Sequence, residues 1–341
     1  MQKKKIAVFH TGGTISMVKD GPDGVDSSGQ NALVAGMKDY MDAFLAKHPA
    51  ELIHEQIFEI ASPQMTENHM FKLRQAILKV MDKVDGVVVT HGTDTLEETS
   101  FFLDITVPHT IPIATIGALR SFNEVSSDAM KNFLCAMLTA MSDEAKDMGT
   151  MVVANEEIHA ARCVTKTHTS NVATFASPGF GYIGIITADD SVFFARKLKP
   201  NPWYDIQGMS KKVMLIKTYA GIDSTVFDAF DALAEKNNKY PFDGLVIEAL
   251  GVGNVPARIV NCLQEVEKRG IPIVFTSRCV GGIAQTVYGY SGGGKSLKTK
   301  EVKSIIFSHG LNGPKARLKL AVLLEKNMDQ AAIETEFAYA V

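Results

Sequence analysis

The chain has 341 residues, 46% hydrophobic and 21% charged, and its 35 basic side chains against 38 acidic ones leave a net charge of −3. That composition belongs to an ordinary folded protein, long enough for two domains at about 150 residues each, and it excludes collagen, coiled coil and disorder. Balanced charge without a basic tract argues against a dedicated nucleic-acid binder.

Met1-Gln-Lys-Lys-Lys is followed by only four apolar residues, Ile6 to Phe9, too few for the core of a signal peptide. No apolar run approaches the ~20 residues needed to cross a bilayer, so a soluble cytoplasmic protein is expected. Cys135, Cys163, Cys262 and Cys279 are scattered with no CxxC pair. Reduced, mostly buried thiols are expected rather than a zinc knuckle or a disulfide framework.

Short β-branched runs alternate with longer segments of helical period, which predicts an α/β protein with a largely parallel sheet. The first-half strands are Ile6 to Phe9, Gly86 to Val89, Ile111 to Ile116 and Met151 to Val153. Helices are predicted over Thr66 to Val84, which carries Met70, Leu73, Ile77, Val80, Met81 and Val84, and over Asn123 to Met141. Around Ala195 to Lys212 two prolines interrupt a stretch without apolar period, so a linker over 196–212 separates domains at 1–195 and 213–341. In the second domain Val213 to Ile216, Gly244 to Ile247, Ile271 to Phe275 and Ile305 to Phe307 read as four strands. Helices Val226 to Lys236, Ala257 to Lys268 and Lys315 to Lys326 accompany them. Gly, Ser or Thr closely follows the strands, and in a parallel sheet the ligand crevice lies outside the strand carboxyl ends.

Three strand-end segments carry chemistry. Thr11-Gly12-Gly13-Thr14-Ile15 offers amide donors and two hydroxyls where the backbone can approach a ligand, or else a tight turn with no ligand. After it, Met17 to Gln30 contains Gly21-Pro22-Asp23-Gly24 and Ser27-Ser28-Gly29 and reads as a lid. Thr90-His91-Gly92-Thr93-Asp94-Thr95-Leu96-Glu97-Glu98-Thr99 crowds hydroxyls and acids beyond what a turn requires. Asp94 or Thr95 suits a helix cap, Glu97 and Glu98 suit its positive end, and His91 suits a hydrogen-bonded core position. Thr93-Asp94 is the functional pair, because Asp fixes a substrate ammonium while Thr orients a water or relays a proton. In Arg162-Cys163-Val164-Thr165-Lys166-Thr167-His168-Thr169-Ser170, Lys166 stands among hydroxyls with no acid beside it in sequence, either a buried base or a surface lysine.

Two matches fail on context. Gly289-Tyr290-Ser291-Gly292-Gly293-Gly294-Lys295-Ser296 fits the phosphate-cradling pattern GxxxxGK[ST], but only Leu297 to Lys303 separates it from the next strand, leaving no long helix. His54-Glu55 lacks the second His of a zinc protease helix.

Thr11-Gly12-Gly13-Thr14-Ile15 and Thr90 to Thr99 together resemble the bacterial-type L-asparaginase family. The resemblance extends through Ser62, Gly117-Ala118-Leu119-Arg120-Ser121, Val164 to Thr167, Gly251-Val252-Gly253-Asn254 and Asn312 to Arg317, in the family's order over almost the whole chain. It implies a larger N-terminal α/β domain with a mixed, mostly parallel sheet and a smaller C-terminal α/β domain with a four-stranded parallel sheet. It further implies hydrolysis of L-asparagine to L-aspartate and ammonia without metal or organic cofactor, with Thr14 as nucleophile. Thr93, Asp94 and Lys166 form the second catalytic group. Ser62 binds the substrate carboxylate, Asp94 the ammonium, and Ala118 presents its carbonyl to the leaving nitrogen. A homotetramer of intimate dimers is implied, Asn254 completing the partner's site. Met17 to Gln30 lacks the lid tyrosine of well-known members, Pro63 stands where many have Gln, and Tyr288 and Tyr290 stand where some have an acid. Other classes to be weighed are an ATPase through Gly289 to Ser296 and a silent amino-acid sensor on the same fold.

Overall fold

Strand β1 (Lys4–His10) is buried from Ile6 onward and sends alternate side chains into two different cores. Ile6 and Val8 join one apolar cluster, and Ala7 and Phe9 join another. A strand so placed has helices on both faces, which is why it reads as an unbroken apolar run. The computed structural model describes residues 3–19, 25–26 and 38–338. The chain divides between Trp203 and Tyr204 into two units, within the segment expected to link domains.

In the first unit β1 is followed by a short antiparallel pair, β2 (Val18–Lys19) with β3 (Val25–Asp26). Then come α1 (Lys38–Lys47), β4 (Ala50–Gln56), α2 (Glu67–Val80), β5 (Gly86–Thr90), α3 (Leu96–Thr106), β6 (Ile113–Ile116), α4 (Ala129–Met141) and β7 (Thr150–Ala154). The chain continues through β8 (Glu157–Ala160), β9 (Thr165–Lys166), β10 (Phe175–Ala176), β11 (Gly184–Ile186) and β12 (Val192–Phe194). Eight of these strands form one sheet in the order β12-β11-β8-β7-β6-β5-β1-β4. From β4 to β7 all pairs are parallel; beyond β7 they are antiparallel.

Ranked by sequence, the parallel strands run 2-1-3-4-5, so the connections reverse direction at β1 and β5. A crevice opens at such a switch point. Phe133, Ala136, Met137 and Ala140 of α4 cover one face of the sheet, and Leu73 and Ile77 of α2 with Leu103 of α3 cover the other. Each large side chain buried this way contributes roughly 1.5–3 kcal/mol.

In the second unit β13 (Val213–Lys217), β14 (Gly244–Ala249), β15 (Ile273–Ser277) and β16 (Ile306–Phe307) form a four-stranded parallel sheet. Helices α5 (Thr225–Asn237), α6 (Val260–Lys268), α7 (Gly313–Glu325) and α8 (Gln330–Phe337) accompany it. The Asn312 side chain caps α7 by accepting the Lys315 N–H at 3.2 Å, with Pro314 in its first turn.

Where expected element ends differ from those observed, local chemistry decides. Ile111 and Ile271 were expected to open strands, yet each precedes a proline, which has no N–H for a ladder. Pro112 and Pro272 give only carbonyls, to Val87 and Leu245, and β6 and β15 begin just after them. The helix expected from Asn123 starts at Ala129. Asp128 holds its N-cap position without capping the helix, its carboxylate turning instead to the N–H groups of Leu119 and Arg120 at 3.0–3.1 Å. The sheet extension through β8, β11 and β12, the edge strand β4 and helices α1 and α8 lie outside the expected elements. Their short or half-polar runs carry little periodicity. All four cysteines are free, but only Cys135 is buried and Cys279 is exposed.

Asp128 is the pin of the loop after β6, since it also accepts Asn132 Nδ2 at 3.2 Å while Asn132 holds the Gly117 carbonyl at 3.0 Å. Asp128→Ala strands two part-buried amides and is expected to cost about 2–3 kcal/mol. Urea unfolding with an unchanged slope measures this, and a loss below about 0.5 kcal/mol contradicts the pin.

Candidate active site

Beyond the carboxyl ends of β1 and β5 two stretches of backbone pass against each other with no room for a side chain between them. Gly12 and Gly13 adopt φ of 97° and 83°, and a Cβ on Gly13 would stand 2.2 Å from the Gly92 Cα. No other residue type fits either condition. The loops bearing Thr14 and Thr93 thereby meet. Thr11 bridges them, its N–H and hydroxyl both donating to the Thr90 carbonyl at 3.1 and 2.9 Å.

Thr14, Ser62, Thr93, Asp94 and Lys166 line one cavity of ≈ 340 Å³. That volume lies at the low end for small-molecule sites and matches an amino acid better than a nucleotide. Lys166 donates from Nζ to Thr93 Oγ1 at 2.9 Å and to Asp94 Oδ1 at 2.6 Å. Its side chain is 16% exposed and that of Asp94 56%, so the lysine is largely enclosed and the acid faces the opening. Lys166 is close to Thr93 and to Asp94, the two residues with which the resemblance groups it, although no acid stands beside it in sequence. Asp94, remote in sequence, supplies a carboxylate at contact distance.

Ser62 opens a single 3-10 turn, Ser62–Gln64, with Pro63 in its first turn. Its buried hydroxyl oxygen accepts the Asp94 N–H at 3.1 Å, and its carbonyl accepts the Thr95 hydroxyl at 2.9 Å. The oxygen being committed as acceptor, the hydroxyl proton is left to donate into the cavity.

Ala118 is fully buried, and its neighbour Leu119 rather than Ala118 itself lines the cavity. Asn254 belongs to the second unit, where its Oδ1 accepts the Gly294 N–H at 3.2 Å. Of the expected lid, residues 20–24 and 27–30 lie outside the described residues. Met17, the first residue of the expected lid, and Thr169, in the hydroxyl-rich segment around Lys166, also line the cavity. Neither was given a role of its own, Met17 reading as one more apolar residue and Thr169 as one hydroxyl among several.

Beneath the site, His91 is a satisfied core residue. Its Nδ1–H donates to the Gly92 carbonyl at 2.7 Å and its Nε2 accepts the Thr99 hydroxyl at 2.9 Å. His10 reaches Thr90 Oγ1 and His54 Nδ1, each at 3.0 Å. Burial pulls both rings down to about 4 from the ordinary 6.5, with His54 adding to the effect at His10.

The glycine-rich segment that fits the phosphate-cradling pattern is closed to phosphate. Gly294–Ser296 is a single helical turn running into a π-turn, Leu297–Glu301. The Glu301 carboxylate takes the Gly292 N–H at 3.0 Å and Asn254 takes that of Gly294. An anion already occupies the nest. Among the described residues, no three His, Cys, Asp or Glu are grouped to hold a metal ion, and no helix is long and apolar enough to cross a membrane.

Comparison with known proteins places the chain in a family along nearly its whole length. Residues 5–199 match the family model described as asparaginase, N-terminal, and residues 212–337 that of the glutaminase/asparaginase C-terminal domain. An L-asparaginase from Bacillus licheniformis is 34% identical, over 98% of this chain and 99% of its own length. A glutaminase-asparaginase from Pseudomonas aeruginosa is 32% identical, over 97% of this chain and 89% of its own. The crystal structure of a probable cytoplasmic L-asparaginase from Campylobacter jejuni covers 99% of this chain and 100% of its own with a TM-score of 0.79 at 31% identity.

The two buried imidazoles make stability depend on acidity. Both prefer the neutral ring when folded, so the unfolded chain takes up protons first as pH falls. Their contribution is intact above about pH 6.5 and is lost as pH falls toward about 4, each ring accounting for up to roughly 3 kcal/mol. Melting temperature should drop through that window, and His91→Gln should flatten the drop while lowering stability at pH 7. An equally steep acid limb in His91→Gln would remove His91 from the account.

Proposed function

The chain belongs to the asparaginase family, and from that premise we propose that it is an L-asparaginase, releasing ammonia and L-aspartate through an acyl-enzyme on Thr14. The observation that carries the reading is the Lys166–Thr93–Asp94 contact in the cavity that Thr14 and Ser62 also line. Thr14 Oγ1 attacks the side-chain amide carbon, its proton goes to the amide nitrogen, and ammonia leaves an ester behind. Water then gives a proton toward Thr93 and Lys166, attacks the ester and becomes part of the product carboxyl group as Thr14 regains its proton.

The Ser62 hydroxyl is positioned to donate to the substrate carboxylate, and Asp94, exposed at the mouth, to take the ammonium in competition with Lys166. The resemblance gives the leaving amide to the Ala118 carbonyl, which lies buried next to the cavity-lining Leu119 and must be uncovered to take that role, and backbone N–H groups near Thr93 meet the oxyanion. The relatives' names support minor turnover of glutamine. A cytoplasmic location belongs to the same reading. An ATPase gains nothing from the Glu301-occupied glycine segment, and a silent sensor would bind asparagine without releasing ammonia.

Thr14→Ala should lower ammonia release by roughly 10³-fold or more while aspartate still binds, and Asp94→Ala should lose turnover and at least about tenfold in affinity as well. Ammonia assays with calorimetry of aspartate binding separate the two. Near-normal turnover in Thr14→Ala, or unchanged affinity in Asp94→Ala, removes the corresponding role.

The reading extends to a homotetramer of intimate dimers in which Asn254 completes the partner's site. Thr14→Ala and Asn254→Ala chains, each inactive, are dissociated and reassembled together. A mixed isologous dimer has one site with both defects and one with neither, so at equal ratio about a quarter of all sites should be intact. No recovery despite demonstrated subunit exchange would place Asn254 with its own Thr14 or outside the site.

A further inference from the structure

Lys166 rests on slender support. β9 and β10 are two residues each, paired antiparallel with Phe175 opposite Lys166 and Ala176 opposite Thr165. A ladder that short does not hold its own place. Bonds within the hairpin, such as Thr167 N–H and Oγ1 to the Thr174 carbonyl, both at 2.8 Å, shape it without fixing it to the sheet. Val164 and Phe175 sink into a small core with Leu96, Val152 and Ala154, but apolar packing is non-directional.

A directional tie lies one residue past β10. Ser177 Oγ stands 3.0 Å from His159 Nδ1, and His159 Nε2 stands 3.1 Å from Glu157 Oε2. A carboxylate only accepts, so Nε2 carries the proton and donates, leaving the Nδ1 lone pair for the Ser177 hydroxyl. His159 is 1% exposed and sits on β8, which is paired to β7 on one side and β11 on the other. Ser177 is itself a fixed point, its carbonyl accepting the N–H of Phe180 at 3.0 Å and of Gly181 at 2.8 Å. Serine, histidine and glutamate also compose a nucleophilic triad, but at 5% exposure Ser177 meets no substrate. What remains is placement.

We propose that His159, clamped between Ser177 and Glu157, is a positioning residue that holds the β9–β10 hairpin in the register at which Lys166 Nζ meets Thr93. The inference rests on Lys166 being part of the asparaginase machinery. Its geometric arm does not.

Ser177→Ala should lower kcat for ammonia release about tenfold with KM for asparagine within about twofold, and Ser177→Thr should recover most of the loss. In a Lys166→Met background Ser177→Ala should cost nothing further, because the tie acts only through Lys166. A crystal structure of Ser177→Ala should have the Lys166–Thr93 contact lengthened beyond the 2.9 Å of the parent. An unchanged kcat, an equal loss in the Lys166→Met background, or an unmoved Lys166 would each overturn the proposal. If Ser177→Ala fails to fold, Glu157→Gln replaces it, keeping the side chain's shape while weakening the grip on the ring. About a threefold loss in its kcat at unchanged melting temperature supports the tie, and parental kcat overturns it. A wild-type enzyme that releases no ammonia would defeat the functional reading alone, the crystallographic distance still deciding this one.

Discussion

Two glycines in contact govern the N-terminal unit. With the Gly13 Cβ position 2.2 Å from the Gly92 Cα, the loops leaving β1 and β5 cannot be prised apart by any side chain, and Thr14 and Thr93 are brought to one cavity. The same crowding recurs on either side. A Cβ on Gly92 would meet Ser62 at 2.7 Å, and one on Gly117 would meet Thr93 Cγ2 at 2.8 Å. Four segments are thus packed side by side at the switch point of the sheet, three of them presenting glycine, at Gly13, Gly92 and Gly117, and the fourth presenting Ser62. The parallel strands behind them are rigid and buried on both faces, so the positions they deliver are fixed by the fold rather than by the loops.

Onto this frame the charged groups add a balance. Asp94 takes its place from the Ser62 hydroxyl, which accepts its N–H, and it spends its carboxylate on Lys166. One acid thereby faces the Lys166 amine inside the protein and the open mouth outside. In the proposed reading, a substrate ammonium at that mouth would compete with Lys166 for the same carboxylate, which would couple ligand binding to the freedom of the Lys166 amine through Asp94.

Much of this was legible in the residues. Strand-end glycines and hydroxyls marked the crevice, and the motif order implied the family and the α/β architecture that the structure has, one mixed, mostly parallel sheet and one four-stranded parallel sheet. The sequence was silent where meaning depends on partners far away in the chain. Local composition around Lys166 left a buried base and a surface lysine both open; only the family resemblance grouped it with Asp94, which stands against it in space. The helix expected from Asn123 reads as continuous period, but Asp128 turns its side chain to Leu119 and Arg120 and delays the start to Ala129. Gly289 to Ser296 fits a phosphate loop letter by letter, and Glu301 closes it. Local pattern reports which chemistry a segment can offer; tertiary contact decides whether it is spent.

The site therefore draws its groups from supports of unequal stiffness. Thr14 and Thr93 stand directly after central parallel strands, where any displacement must move a packed core. Lys166 stands on a two-residue strand in the antiparallel part of the chain, where displacement moves a hairpin and the small core under it. A lysine has a long, flexible stem, and a fixed base under it matters more than for a threonine, whose hydroxyl lies one bond from the backbone-bearing Cβ. The softer support is also the one that meets two partners at once, Thr93 and Asp94, so an error at its base is felt at both. The polar tie through Ser177, His159 and Glu157 sits at that base, which is where a directional constraint has the most leverage on the amine.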